Sequence, residues 1–106
     1  MTFFNSPVIR DEMEEISALC TLITNVRPSE LNPNQRVTYL EMIDRVMELQ
    51  QVMYFRAKYS DEEQAKSYIS ELQHHAVACG YPENYDISKI FTKLRDEISE
   101  VKEKLS

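Results

Sequence analysis

The fold is decided by residues 33–59, whose sequence is PNQRVTYLEMIDRVMELQQVMYFRAKY. No proline or glycine follows Pro33 in this stretch, so a helix can continue over about 40 Å at roughly 1.5 Å per residue. Its apolar residues recur at spacings of three and four and cover about half of the helix circumference, more than the roughly 100° stripe of an ordinary surface helix. The stretch therefore predicts one long helix with more than one packing partner. These apolar residues are Leu40, Ile43, Val46, Met47, Leu49, Met53, Tyr54 and Ala57.

Local signals predict where this helix and the next one begin and end. Asn32 before a proline, with Gln35 three residues later, is typical of an N-terminal capping box. Ser60 and Glu63 repeat that pattern and predict a second capping box for the third helix. Gly80, the single glycine of the chain, stands where a left-handed residue would end the third helix.

The first and last helices each carry an apolar seam with alternating spacings of three and four, as in a heptad pattern. Ser6 with Pro7 predicts the start of the first helix, and Asp86 is the candidate N-cap of the last. The two seams are Ile9, Met13, Ile16, Cys20 and Ile23, and Ile87, Phe91, Leu94, Ile98, Val101 and Leu105. The predicted helices are about 7–26, 33–59, 61–79 and 87–105.

The 106 residues show no strand-like alternation, no internal repeat and no flexible linker. One domain of this size can bury only a modest core. We therefore predict a single all-α domain over residues 1–106, a four-helix hairpin or bundle with a long second helix, completed by self-association.

Charge and composition exclude several classes of partner. The net charge of −6 repels phosphate backbones and anionic lipids, so we expect no direct nucleic-acid partner. No apolar run is long enough to cross a bilayer, and residues 1–7 lack the basic start of a secretory signal, so we expect no membrane partner. Cys20 and Cys79 lie on apolar faces of separate predicted helices, which favours reduced core residues and a cytoplasmic protein.

Sites of the common catalytic and metal-binding types are not indicated. One glycine cannot build a phosphate-binding loop. His74 and His75 are neighbours on a predicted helix and point about 100° apart, and the two cysteines lack the C-x-x-C spacing. We therefore predict no catalytic residue and no cofactor, and we favour a non-enzymatic protein while enzymatic activity stays open.

One acidic pattern leaves an alternative open. Glu12 and Glu15 on the first helix are followed by Glu41 and Asp44 on the second. This spacing is similar to the two-helix magnesium signature of all-α nucleoside triphosphate pyrophosphohydrolases, although Asp11 stands where that signature has a glutamate. The resemblance implies Mg²⁺ as cofactor, with these two pairs of carboxylates as its ligands. Against it, the pair on the second helix lies opposite the apolar residues and is expected to point to water.

Aromatic and aliphatic side chains outside the predicted seams are candidates for an interface with a second chain, since aromatic anchors supply much of the binding energy in interfaces. Those that precede the first helix can instead cover an end of the bundle. Those on the second helix can equally belong to its wide apolar arc. The interface candidates are Phe3, Phe4, Val52, Phe55, Tyr81 and Tyr85.

The chain resembles the small cyanobacterial and cyanophage proteins grouped as domain-of-unknown-function family 1825. The resemblance is carried by the opening Phe3-Phe4-Asn5-Ser6, by Met47-Glu48 and Met53-Tyr54-Phe55, by Tyr59-Ser60-Asp61-Glu62 and by the Leu72 to Gly80 segment. It implies a helical protein of a cyanobacterial cytoplasm, or of the host cytoplasm if a phage encodes it. It implies no activity, cofactor or catalytic residue.

These observations lead to one expected function. We expect a non-enzymatic protein–protein interaction or regulatory protein that binds itself, as a homodimer or larger homo-oligomer, or binds a cytoplasmic protein complex. The alternative is the magnesium-dependent pyrophosphohydrolase.

Overall fold

A computed structural model describes residues 3–105 of the chain. The described residues form four α-helices and two short 3-10 helices, and they contain no strand, so the predicted all-α class is confirmed. The α-helices are α1 (Pro7–Thr24), α2 (Pro33–Lys58), α3 (Glu63–Ala78) and α4 (Ile87–Leu105), and the 3-10 helices are Phe3–Asn5 and Pro28–Glu30. None of the described helices combines the length and the apolar character that a membrane span needs.

The helix ends show which local signals are used. The amide of Gln35 donates to the side chain of Asn32, and the Gln35 side chain accepts from the Asn32 amide, so the predicted capping box of α2 is present. Gly80 has φ of +99°, and the amides of Gly80 and Tyr81 donate to the carbonyls of Val77 and Ala76. This pair of bonds is the Schellman motif, which satisfies the last carbonyls of α3.

The predicted start of the third helix at residue 61, with a Ser60–Glu63 capping box, is wrong. The amide of Ser60 donates to the carbonyl of Ala57, so it is already used in the last turn of α2. The Ser60 hydroxyl accepts from the amide of Glu62, which becomes the N-cap of α3. The helix therefore begins at Glu63, and the two helices are joined by a tight turn.

α2 lies at the centre of the molecule, with α1 and α4 on its two flanks. Ion pairs join α1 to α2 from Glu12 to Arg56 and from Glu15 to Arg45, so the numbering runs in opposite directions on the two helices. The pairs between α2 and α4 also run in opposite directions. Both flanking helices are therefore antiparallel to α2, and the more extensive of the two contacts is with α4.

α3 crosses the C-terminal half of α2 from the side of α1 to the side of α4. Its first turn contributes Ala65, fully buried, to a cluster with Ile9 of α1 and Met53 of α2. Further along α3, Leu72 packs against a second cluster that contains Phe91 of α4. α3 therefore closes one end of the three-helix layer, and the whole molecule is thin, with principal dimensions of 45 × 33 × 19 Å.

Candidate interaction surface

A network of charged side chains crosses one face of α2 and connects α1 to α4. Arg45 donates from Nε and Nη2 to both carboxylate oxygens of Glu15, at 2.7 and 3.2 Å, and it also binds Glu48. Arg95 of α4 donates to both oxygens of Asp44, at 3.0 and 3.2 Å, and to Glu48 at 3.2 Å. Two-pronged arginine–carboxylate pairs fix geometry as well as charge. This network of ion pairs therefore holds α1, α2 and α4 in their relative positions.

These pairs change proton affinities in the expected directions. The hydrogen bond from Arg45 lowers the pKa of Glu15 below its ordinary value. The bond from Arg95 to Asp44 in turn raises the pKa of that guanidinium. The lowered pKa of Glu15 and the raised pKa of Arg95 both favour the charged form of the group, as expected when opposite charges meet near the surface.

The four carboxylates of the magnesium alternative are each paired with a separate cation. Glu15 and Asp44 bind the arginines just described, and Glu12 forms an ion pair with Arg56, with Oε1 3.0 Å from Nη2. Glu41 lies 3.8 Å from Nζ of Lys102. Asp44 was expected to point to water, but its side chain is only 28% exposed because Arg95 of α4 packs over it.

In the described part of the chain, the acidic side chains meet around arginines and not around a position for a metal ion. Within residues 3–105, no group of three or more histidine, cysteine, aspartate or glutamate side chains is arranged to hold a metal ion. Glu12 has one carboxylate oxygen, Oε2, that is buried and makes no hydrogen bond, while its other oxygen binds arginine. The arrangement of these carboxylates supports helix packing and does not fit a shared Mg²⁺ ion.

Of the predicted interface residues, the two N-terminal phenylalanines pack inside the chain. Phe3 is 8% exposed in the cluster of Ile9 and Met53, and Phe4 packs edge-on against Tyr68 of α3 with ring centroids 5.9 Å apart. The backbone amide of Phe4 also donates to the side chain of Gln64 of α3. Both rings therefore cover an end of the bundle and are used in packing within the chain.

Tyr81 and Tyr85 are half-buried in the turn between α3 and α4. Their ring centroids are 5.0 Å apart, and the Tyr85 amide donates to the carbonyl of Pro82. The two rings therefore contact each other across the turn that leads into α4. Asp86 follows, and its carboxylate accepts from the amide and hydroxyl of Ser88 in the first turn of α4.

Val52 and Phe55 remain exposed on α2, at 37% and 38%. Tyr59, just after the helix, is 78% exposed and was not among the predicted interface residues. Lys58 lies 5.9 Å from the ring centroids of both Tyr54 and Tyr59. A small apolar patch therefore stands at the C-terminal end of α2.

A second apolar surface was missed by the sequence reasoning. α2 and α4 enclose an open groove of about 270 Å³, which we call the trough. Leu94 and Val101 on its α4 side are 39% and 45% exposed, although the heptad seam predicts that they are packed. The trough is lined by Leu40, Ile43, Met47, Leu94, Glu97, Ile98 and Val101.

The signal that could have found the trough is the length of the α4 seam. Six seam positions continue without interruption from Ile87 to Leu105, but α3 reaches only the first part of α4.

Comparison of the chain with protein-family models, curated proteins and solved structures finds no match.

Proposed function

We propose that this chain is a non-enzymatic helical interaction or regulatory protein that acts through a homo-oligomer or through a cytoplasmic protein complex. The observation that carries the proposal is surface area. The chain exposes 7,304 Å². A compact monomer of 12.5 kDa exposes about 6,200 Å². The excess of about 1,100 Å² is of the size that one partner buries in a specific protein–protein interface.

The shape of the molecule explains this excess. Its radius of gyration is 15.5 Å, whereas a compact domain of this length has about 13 Å. Three helices in one layer, with a fourth across one end, cannot enclose a deep core. Large apolar side chains consequently stay in contact with water, namely Val8, Met13, Leu22, Val52, Phe55, Tyr59, Val77, Leu94 and Val101.

The charged groups also support an interaction role over catalysis. Catalytic carboxylates need a site in which they can meet a substrate or metal. Here Glu15, Asp44 and Glu48 are held by arginines of neighbouring helices. We further propose, from the resemblance in residues 3–6 and along α2, that the chain is a divergent relative of domain-of-unknown-function family 1825 from a cyanobacterium or cyanophage.

The proposal is tested by sedimentation velocity from low to high micromolar protein, with and without MgCl₂ and a mixture of nucleoside triphosphates. Pyrophosphate release is assayed in the same samples. We expect a concentration-dependent dimer or larger oligomer, no pyrophosphate, and no effect of magnesium on the mass. A monomer at every concentration would overturn the homo-oligomer, and pyrophosphate release would overturn the non-enzymatic assignment.

A matched pair of variants separates structural from catalytic use of the acids. Glu15→Gln removes the charge that binds Arg45, and Glu14→Gln removes an exposed neighbouring charge that makes no ion pair within residues 3–105. If any pyrophosphate release depends on a metal site, Glu15→Gln abolishes it and Glu14→Gln leaves it intact. We expect both variants to match the wild type in that assay and only Glu15→Gln to lower the melting temperature.

A further inference from the structure

The trough occupies the half of the α2–α4 pair that α3 leaves uncovered. At the end that α3 closes, Ile87 and Phe91 of α4 are 5% and 9% exposed. Leu94 and Val101 lie on the same seam, about one and three helical turns beyond Phe91, and they are 39% and 45% exposed. No residue of α3 is among those that line the trough. The seam is therefore packed at one end of α4 and open at the other.

We infer that the trough is the face through which a second copy of this chain docks, so that two molecules complete each other's missing layer. This inference rests on the proposed function and assigns it a surface. The excess surface of about 1,100 Å² belongs to the whole chain, and it is large enough to supply the roughly 800 Å² that each partner buries in a standard interface. A second copy is the occupant that presents the same open seam, as an isologous two-fold interface requires.

Charge beside the trough permits this contact despite the net charge of −6. Lys93, Glu97, Glu100 and Lys104 follow one stripe of α4 at spacings of four, three and four. This stripe carries two positive and two negative groups, so its formal charge is zero. The stripe itself therefore adds no net charge to the repulsion between two copies.

The test compares the dimer dissociation constants of four forms of the full chain by sedimentation velocity. Leu94→Glu places a charge in the trough. Leu22→Glu makes the same change at a leucine of α1 that is 55% exposed and lies outside the trough. Phe55→Glu places a charge in the patch at the C-terminal end of α2. Circular dichroism checks that each variant keeps the helical content of the wild type.

We expect Leu94→Glu to raise the dimer dissociation constant about 30-fold or more, as for loss of an interface hot spot. Leu22→Glu and Phe55→Glu should change it less than about threefold. A dimer that Leu94→Glu leaves intact overturns the docking face and leaves the proposed homo-oligomer standing. A wild-type chain that stays monomeric overturns both. If Leu94→Glu does not fold, Val101→Glu decides by the same criteria, because that side chain is more exposed in the chain itself.

Discussion

Replacing Arg95 with alanine removes the guanidinium that joins α4 to α2. It binds Asp44 through two hydrogen bonds, at 3.0 and 3.2 Å, and both side chains are about one-third exposed. Exposed ion pairs contribute about 0.2–1 kcal/mol, and the two-pronged geometry places this pair at the upper end. A double-mutant cycle of Arg95→Ala and Asp44→Ala should therefore give a coupling free energy of about 1 kcal/mol. For a chain of this length, 1 kcal/mol corresponds to a shift of about 4–5 °C in melting temperature.

The control for this cycle is the pair Arg27 and Glu30, whose side chains are 79% and 66% exposed and whose closest atoms are 3.5 Å apart. Its coupling should be below about 0.3 kcal/mol. Both cycles are measured by thermal unfolding at one fixed protein concentration, because dimer formation would itself raise the melting temperature. Equal coupling in the two cycles, or a coupling at Arg95 that high salt leaves unchanged, would refute the reasoning.

Three further predictions concern stability. Met53→Ala should lower the free energy of unfolding, measured by urea titration, by about 2–5 kcal/mol, because Met53 is 4% exposed in the core. The control Met13→Ala, at a site that is 43% exposed, should lower it by less than about 1 kcal/mol. Equal losses would contradict the core assignment. Gly80→Ala should lower the free energy of unfolding by about 1 kcal/mol, and Gly80→Asn should lower it less. The loss comes from backbone strain alone, because φ is +99° and a Cβ at this position would meet no atom within 4 Å. Equal melting temperatures for both variants and the wild type would contradict this prediction. The hydrogen bonds from Ser88 lower the pKa of Asp86 below its ordinary value of 3.8, so the stabilisation by the charged carboxylate is complete above pH 3.8 and is lost as the pH falls through the folded-state pKa. Asp86→Asn should therefore make the melting temperature depend less on pH in that acid range. An unchanged dependence of the melting temperature on pH would contradict the assignment.

Local signals of the sequence predicted the helices because they depend on neighbours within one turn. The Asn32 capping box and the left-handed Gly80 both act over three to five residues, and both are present. The Ser60 capping box failed because it competes with the end of the preceding helix for the same amide. Two local signals that need the same amide cannot be ranked from the sequence alone, because only one of the two hydrogen bonds can form.

The sequence by itself determined the all-α class, the long α2 and the seams on α1 and α4, because apolar spacing of three and four specifies one face of a helix. It could not determine which face meets which helix. Only the tertiary structure placed Asp44 against Arg95, and it left Leu94 open to water where α3 crosses too near one end to cover it. The physical reason is that a heptad seam indicates only which face of a helix is apolar. Which element packs against that face depends on the path of the whole chain.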